Sequence, residues 1–283
     1  MSAPFRLTGR LLFLCENPAR VTAQLQGAVL GAAQAGPLRS DISTDEISPL
    51  PAMVHFDAEL GRHAHTGFTA SGQRPIGVDA LRHAGVQVLV GGARYGKGSS
   101  REHSPVAELA AGVRLVVAES FERIYRQNAD NLGLITSTDL GLPARLLAGE
   151  AIALEELLQG RDALAAAILR VGGLLRYGAA HRVEGPAPAL PAGPLTLFEK
   201  IVHRHAAEPL QRGQGGFVRP DLRFIHEYYT GMCAHLLDEA FQGQPQLHDA
   251  PSIVCFEDHL SYVHQSPVHV GQGLVGGVKR LST

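Results

Sequence analysis

A chain of 283 residues with 45% hydrophobic content can bury one large core or two modest ones. Its 25 basic and 27 acidic side chains nearly cancel to a formal charge of -2, so no global field draws nucleic acid and any anion binding must be local. Three cysteines suit a reducing compartment, and the apolar stretch at residues 11–15 is too short for a signal-peptide core or a membrane span, which makes a cytoplasmic location the expectation.

In chain order, residues 11–15 read as a strand, and Asn17-Pro18 reads as a helix N-cap with proline at the first helical position. Val86-Gln-Val-Leu-Val90 reads as a buried strand. Residues 104–112 read as a helix with Val106, Leu109 and Ala110 on its apolar face. Residues 113–118 form a further buried strand leading into a helix over 121–131, and 151–159 and 163–171 read as two amphipathic helices. Strands and helices alternate, so the class is α/β. Residues 185–194, rich in proline and small side chains, read as a semi-rigid linker. After it, Thr196 and Glu199 form a capping-box pattern that opens a helix ending near Ala206. The expected organisation is a first domain over 1–185, a linker over 186–194 and a second domain over 195–283. The chain has no internal repeat, low-complexity tract or heptad pattern.

The junction Gly96-Lys97-Gly98-Ser99-Ser100-Arg101-Glu102-His103 concentrates the chemistry. Its glycines let the backbone turn sharply and approach a ligand. Amides at a helix start lack partners and carry the positive end of the helix dipole, and Arg101 adds a planar clamp for a carboxylate. Ser99, Ser100 and Arg101 are therefore offered together to an acidic substrate. Three other readings compete. Gly91-x-x-x-x-Gly96-Lys97 nearly matches a phosphate-cradling loop, but Gly98 stands where a magnesium-binding Ser or Thr is needed. Ser99 lacks the Gly-x-Ser-x-Gly frame of a serine hydrolase. A loop that merely caps the helix explains the serines but not the adjacent Arg-Glu-His. The pairs His63/His65 and His203/His205 have no third ligand at convincing spacing, so no metal site is expected.

Three motifs in order, Ser40-Asp-Ile-Ser-Thr-Asp-Glu-Ile-Ser-Pro49, Gly98-Ser-Ser-Arg-Glu-His103 and Glu119-Ser-Phe-Glu-Arg-Ile-Tyr-Arg-Gln-Asn128 with Asn131-Leu-Gly133, resemble the swivel domain of the aconitase superfamily. The small subunits of isopropylmalate isomerase are the nearest in character. The resemblance spans roughly residues 10–185. Leu195-Thr-Leu-Phe-Glu-Lys-Ile-Val-His-Arg-His205 resembles the opening of the large, cluster-bearing half of the same enzymes. His226-Glu227 and Glu257-Asp258-His259-Leu260 resemble an early substrate-contact segment and a catalytic Asp-His strand end of that half. The implied fold is a swivel-type β/β/α domain followed by a partial α/β/α large domain.

The resemblance implies reversible dehydration and rehydration of a hydroxy di- or tricarboxylic acid. A proton beside a carboxylate is barely acidic and hydroxide leaves poorly, so such an enzyme supplies a base, charge stabilisation and a Lewis acid together. By family match Ser99 is the base, Ser100 and Arg101 bind substrate, and Asp258 with His259 handles protons. A [4Fe-4S] cluster takes the hydroxyl in the family. Asp45 falls near the same pocket by its match, and reads equally as an aspartate that orders the 43–49 loop.

Two departures favour a substrate other than citrate: Asp57 stands where aconitases carry a further arginine, a role Arg62 could take over, and Gly231 stands where they use a glutamine. The cluster needs three thiolates, two of them in Cys-x-x-Cys, whereas Cys15, Cys233 and Cys255 are scattered. The cluster ligands are thus expected outside this sequence. The chain reads as a fragment of a longer enzyme, a subunit that works with a separate large-domain polypeptide, or an inactive relative. A non-catalytic module that binds a carboxylate or a partner is the alternative from another class.

Overall fold

Short apolar runs become strands here because β-branched and leucine side chains fit a pleated surface covered on both sides. A computed structural model describes residues 4–55, 57–98, 102–181, 188–213, 215–226, 233–234, 236–238, 241–243 and 249–256. The chain divides into two units, Met1–Ala180 and His181–Thr283.

In the first unit, β1 (Arg10–Phe13), β2 (Val86–Gly91), β3 (Leu115–Ala118) and β4 (Ile135–Ser137) form a parallel sheet in the order β1-β2-β3-β4. Its helices are α1 (Pro18–Leu25), α2 (Ala32–Ala35), α3 (Thr44–Ile47), α4 (Ala80–Ala84), α5 (His103–Ala111), α6 (Arg123–Leu132), α7 (Leu142–Leu147), α8 (Leu154–Leu157), α9 (Ala163–Arg170) and α10 (Leu174–Ala180). Alternation along the strands feeds two cores. Leu12, Leu89 and Val116 join one apolar cluster, and Phe13, Val88, Val90, Leu115 and Val117 join the other. The α/β class expected from the sequence is the class observed.

In the second unit, Thr196 accepts from the Glu199 amide and Glu199 reaches back to the Thr196 amide, which starts α11 (Leu197–His205). β5 (Arg223–His226) and β6 (Ile253–Phe256) pair in parallel. Among the described residues no single helix is long and apolar enough to cross a membrane.

Two expectations need correction. The helix expected over 151–159 is only α8, because Ile152 exchanges both backbone hydrogen bonds with Phe5, at 2.7 and 2.9 Å, which holds the chain extended up to Leu154. On α5, Val106, Leu109 and Ala110 are only half-buried, and the fully buried face carries Ser104, Ala107, Glu108 and Ala111. Small residues let this face approach its neighbours closely, and the carboxylate among them finds hydrogen-bond donors inside the protein.

Candidate functional site

The site forms where two loops meet the start of α5. Leaving β2, the chain turns through Gly96 (φ +79°) and Gly98 (φ +117°), conformations that only glycine adopts readily. A Cβ at Gly96 would also collide with the Tyr125 ring. Residues 42–44 lie alongside this turn. The amides of Gly96 and Lys97 donate to the Ile42 carbonyl at 2.9 and 3.0 Å, and the Thr44 amide donates to the Lys97 carbonyl at 2.8 Å. Below the contact, the hydroxyls of Ser48 and Ser104 are 3.1 Å apart and Ser104 donates to the Thr44 carbonyl. Beside it, Asp41 pairs with Arg94 and with Lys97, and the hydrogen bond from Arg94 holds the Asp41 carboxyl below the usual carboxylate range.

Ser99, Ser100 and Arg101 lie outside the described residues, as do Asp258 and His259. The segments on either side of 99–101 are described. Glu102, at the N-cap of α5, makes no side-chain cap bond among the described residues. Asp45 is exposed in the first turn of α3, the helix whose start is bonded to Lys97. Order in its loop comes from a capping box of Ser43 and Glu46, with Glu46 also accepting from the Thr69 amide and hydroxyl. Arg62 is placed elsewhere. It pairs with Glu59 at 2.6 Å and Asp79 at 3.6 Å, and the neighbouring Gly61 packs on Ala110 and Ala111 at the far end of α5.

A buried polar cluster under the loops escaped the sequence reading. Glu108 accepts the Tyr95 hydroxyl at 2.5 Å on Oε1 and the Tyr125 hydroxyl at 2.5 Å on Oε2, and His65 Nε2 stands 2.9 Å from Oε1. Tyr95, Tyr125 and the side chains of His65 and Glu108 are fully buried. Burial first, and the Glu108 charge second, push both phenols well above the ordinary tyrosine range, which keeps them protonated donors. Among the described residues His65 Nδ1 meets no hydrogen-bond partner, so the ring engages the cluster through Nε2. The signal that could have exposed this cluster is positional: Glu108 lies four residues after Ser104 and three before Ala111, in a stripe of small residues.

The aconitase C-terminal domain family matches residues 77–138, which cover β2, the turn, α5, β3, α6 and β4. The 3-isopropylmalate dehydratase small subunit of Pyrobaculum calidifontis is 36% identical over 151 residues, spanning 48% of this chain and 89% of that protein. The chain belongs to the aconitase superfamily. The same-named subunit of Desulfovibrio desulfuricans is 35% identical over 151 residues, covering 48% of this chain and 87% of its own length. A solved structure of 3-isopropylmalate dehydratase from Methanocaldococcus jannaschii is 28% identical, covers 50% of this chain and 88% of its own, and superposes with a TM-score of 0.37.

Aconitase-superfamily membership implies a [4Fe-4S] cluster, and the described residues do not fit one. Cys15 is buried in the apolar core, where burial raises its thiol and Sγ donates to the Asn17 carbonyl. Cys233 belongs to the second unit, and the side chain of Cys255 lies outside what is described. Among the described residues no three His, Cys, Asp or Glu side chains are grouped to hold a metal.

Proposed function

We propose that this chain is the swivel-type component of a hydro-lyase that interconverts hydroxy di- or tricarboxylic acids by dehydration and rehydration, together with a separate large-subunit polypeptide. The observation that carries the reading is the seating of residues 42–44 on 96–98 at the start of α5, in a chain whose relatives are dehydratase small subunits. Residues 195–283 are read as the beginning of a large domain, on the strength of their motifs. The free thiol of Cys15 suits a cytoplasmic setting.

On this reading Ser99 takes the proton from the carbon beside a substrate carboxylate. The positive end of the α5 dipole and the Arg101 guanidinium hold that carboxylate and favour the seryl oxyanion over the hydroxyl. Ser100 and Asp45 bind the rest of the acid. Asp258 orients the His259 imidazole, which carries a proton to or from the substrate oxygen. Arg62 is already engaged by Glu59 and Asp79, so the reading does not lean on it. No step is routed through an iron-sulfur cluster in this chain, and cluster ligands are assigned to the partner polypeptide.

The test is to coexpress the chain with a 3-isopropylmalate dehydratase large subunit, reconstitute anaerobically with iron and sulfide, and follow unsaturated acid by ultraviolet absorbance. Isopropylmalate, citrate and methylated malates are the substrates to try. Turnover is expected from the pair and none from the chain alone. Ser99→Ala should lower kcat by about a thousandfold with Tm unchanged. An undiminished rate in that variant would reject the base, and acid binding without turnover in the pair would favour the non-catalytic module.

A further inference from the structure

Four segments around the candidate site converge on one buried carboxylate. Tyr95 belongs to the turn that enters residues 99–101, and Glu108 to the helix that leaves them. Tyr125 comes from α6, and its ring packs against Gly96. His65 comes from the segment after α3, where its amide donates to the Ile47 carbonyl at 2.7 Å and its backbone is held at φ +61°. We propose that Glu108 is a positioning residue: through Tyr95, Tyr125 and His65 it fixes the two flanks of residues 99–101, and the α3 loop beside them, in the arrangement the reaction requires. This inference rests on the hydro-lyase reading above.

The energetics separate positioning from simple packing. A carboxylate loses its hydration on burial, and replacing a whole buried polar network by apolar groups of similar volume often stabilises a core as well or better. A leucine at this position would fill space beside Ala107 and Ala111, but it would leave the buried Tyr95 and Tyr125 hydroxyls and His65 Nε2 without their acceptor. It would also lose direction. Tyr95 and Tyr125 could then slide on the apolar surface, whereas two short bonds to the two oxygens of one carboxylate define where each ring sits. Tyr95 is also the residue whose amide and carbonyl join Ser120 and Glu122 at 2.9 Å, so its ring and backbone are pinned together. The geometry is that of a clasp closing both sides of a short functional segment.

The experiment compares Glu108→Leu, Glu108→Gln, Tyr95→Phe and Tyr125→Phe in the full chain, with two readouts. In the first, hydrogen exchange of the isolated chain, Glu108→Leu should lower Tm through the orphaned donors and speed amide exchange of residues 95–98 and 102–104 by about tenfold or more beyond any loss of protection in β2 and β3. In the second, the pair with the large subunit, kcat/KM should drop by about a hundredfold for Glu108→Leu, the loss typical of a reacting group displaced by about 1 Å. Glu108→Gln, which keeps one acceptor, should recover part of that loss. Each tyrosine variant should give a smaller loss that vanishes in the Glu108→Leu background. Unchanged exchange at 95–104, or a loss of protection spread evenly over β1 to β4, overturns the proposal. If Glu108→Leu does not fold, the two phenylalanine variants decide by the same local exchange. If the parent pair shows no turnover, the hydro-lyase reading fails while the exchange result still judges the clasp.

Discussion

The two units each contain a parallel sheet, yet the described strands lie in different environments. β2 and β3 are buried almost throughout, with helices and loops covering both faces. In β5, Phe224 is 71% exposed, and on α11 Leu197 and Phe198 are each 74% exposed. Among the described residues of the second unit, Ala206 is the one buried hydrophobic side chain. Local rules are obeyed equally well on both sides, since α1 and α11 are both capped as their sequences dictate. Burial needs a second layer, which α11, β5 and β6 do not provide for one another among the described residues.

Core truncation should break the symmetry most. Leu89→Ala, in the fully buried centre of β2, should cost about 3 kcal/mol in urea unfolding, whereas Leu197→Ala should stay within about 0.5 kcal/mol. Equal losses would mean that α11 is covered as well as β2 is. The caps sharpen the contrast at a smaller scale. Asn17 accepts from the Ala19 and Arg20 amides, so Asn17→Ala should remove about 1 kcal/mol from the main thermal transition. Thr196→Ala deletes an equivalent cap yet should leave that transition unmoved and change only local exchange in α11.

The smallest effect is a titration. Hydrogen bonds from Arg212 and then Thr196 hold the Glu199 carboxyl down to about 2, against an ordinary value of 4.5. A folded value below the unfolded one adds stability that is complete above the unfolded value and is lost as pH falls through the folded one. α11 should therefore lose this support between pH 4.5 and about 2, read from the Glu199 carboxyl carbon shift. Added salt should weaken the effect, because Arg212 is exposed.

Much of the first unit was legible because its signals are local. Val86-Gln-Val-Leu-Val90, the run after Val113 and the Asn17-Pro18 cap each declare themselves within a few residues. β4 escaped notice because three residues, Ile135, Thr136 and Ser137, carry too little periodicity, and they extend the sheet by pairing with β3. The shortened α8 reflects Phe5, nearly 150 residues away in sequence. At the site, the resemblance placed the 40–49 motif beside the 96–103 junction, and residues 42–44 do bond to Gly96 and Lys97. The Glu108 cluster was not legible. A glutamate on a helix normally marks the solvent face, and only the convergence of His65, Tyr95 and Tyr125 makes its burial tolerable. Arg62 shows the reverse case, since proximity along the chain to Asp57 said nothing of the pairing with Asp79 that occupies it.

The strand order β1-β2-β3-β4 also bears on the order of assembly. β2, β3 and β4 are joined by connections within residues 92–134, while β1 reaches β2 only across residues 14–85. Closing the longer connection sacrifices more chain entropy before any contact rewards it, so the amino-terminal strand is expected to join a sheet nucleated by the other three. Residues 42–44 travel within that late connection, whereas 96–98 belong to the early nucleus. Competence to bind would then be acquired in the last folding step, after most of the hydrophobic surface is already hidden.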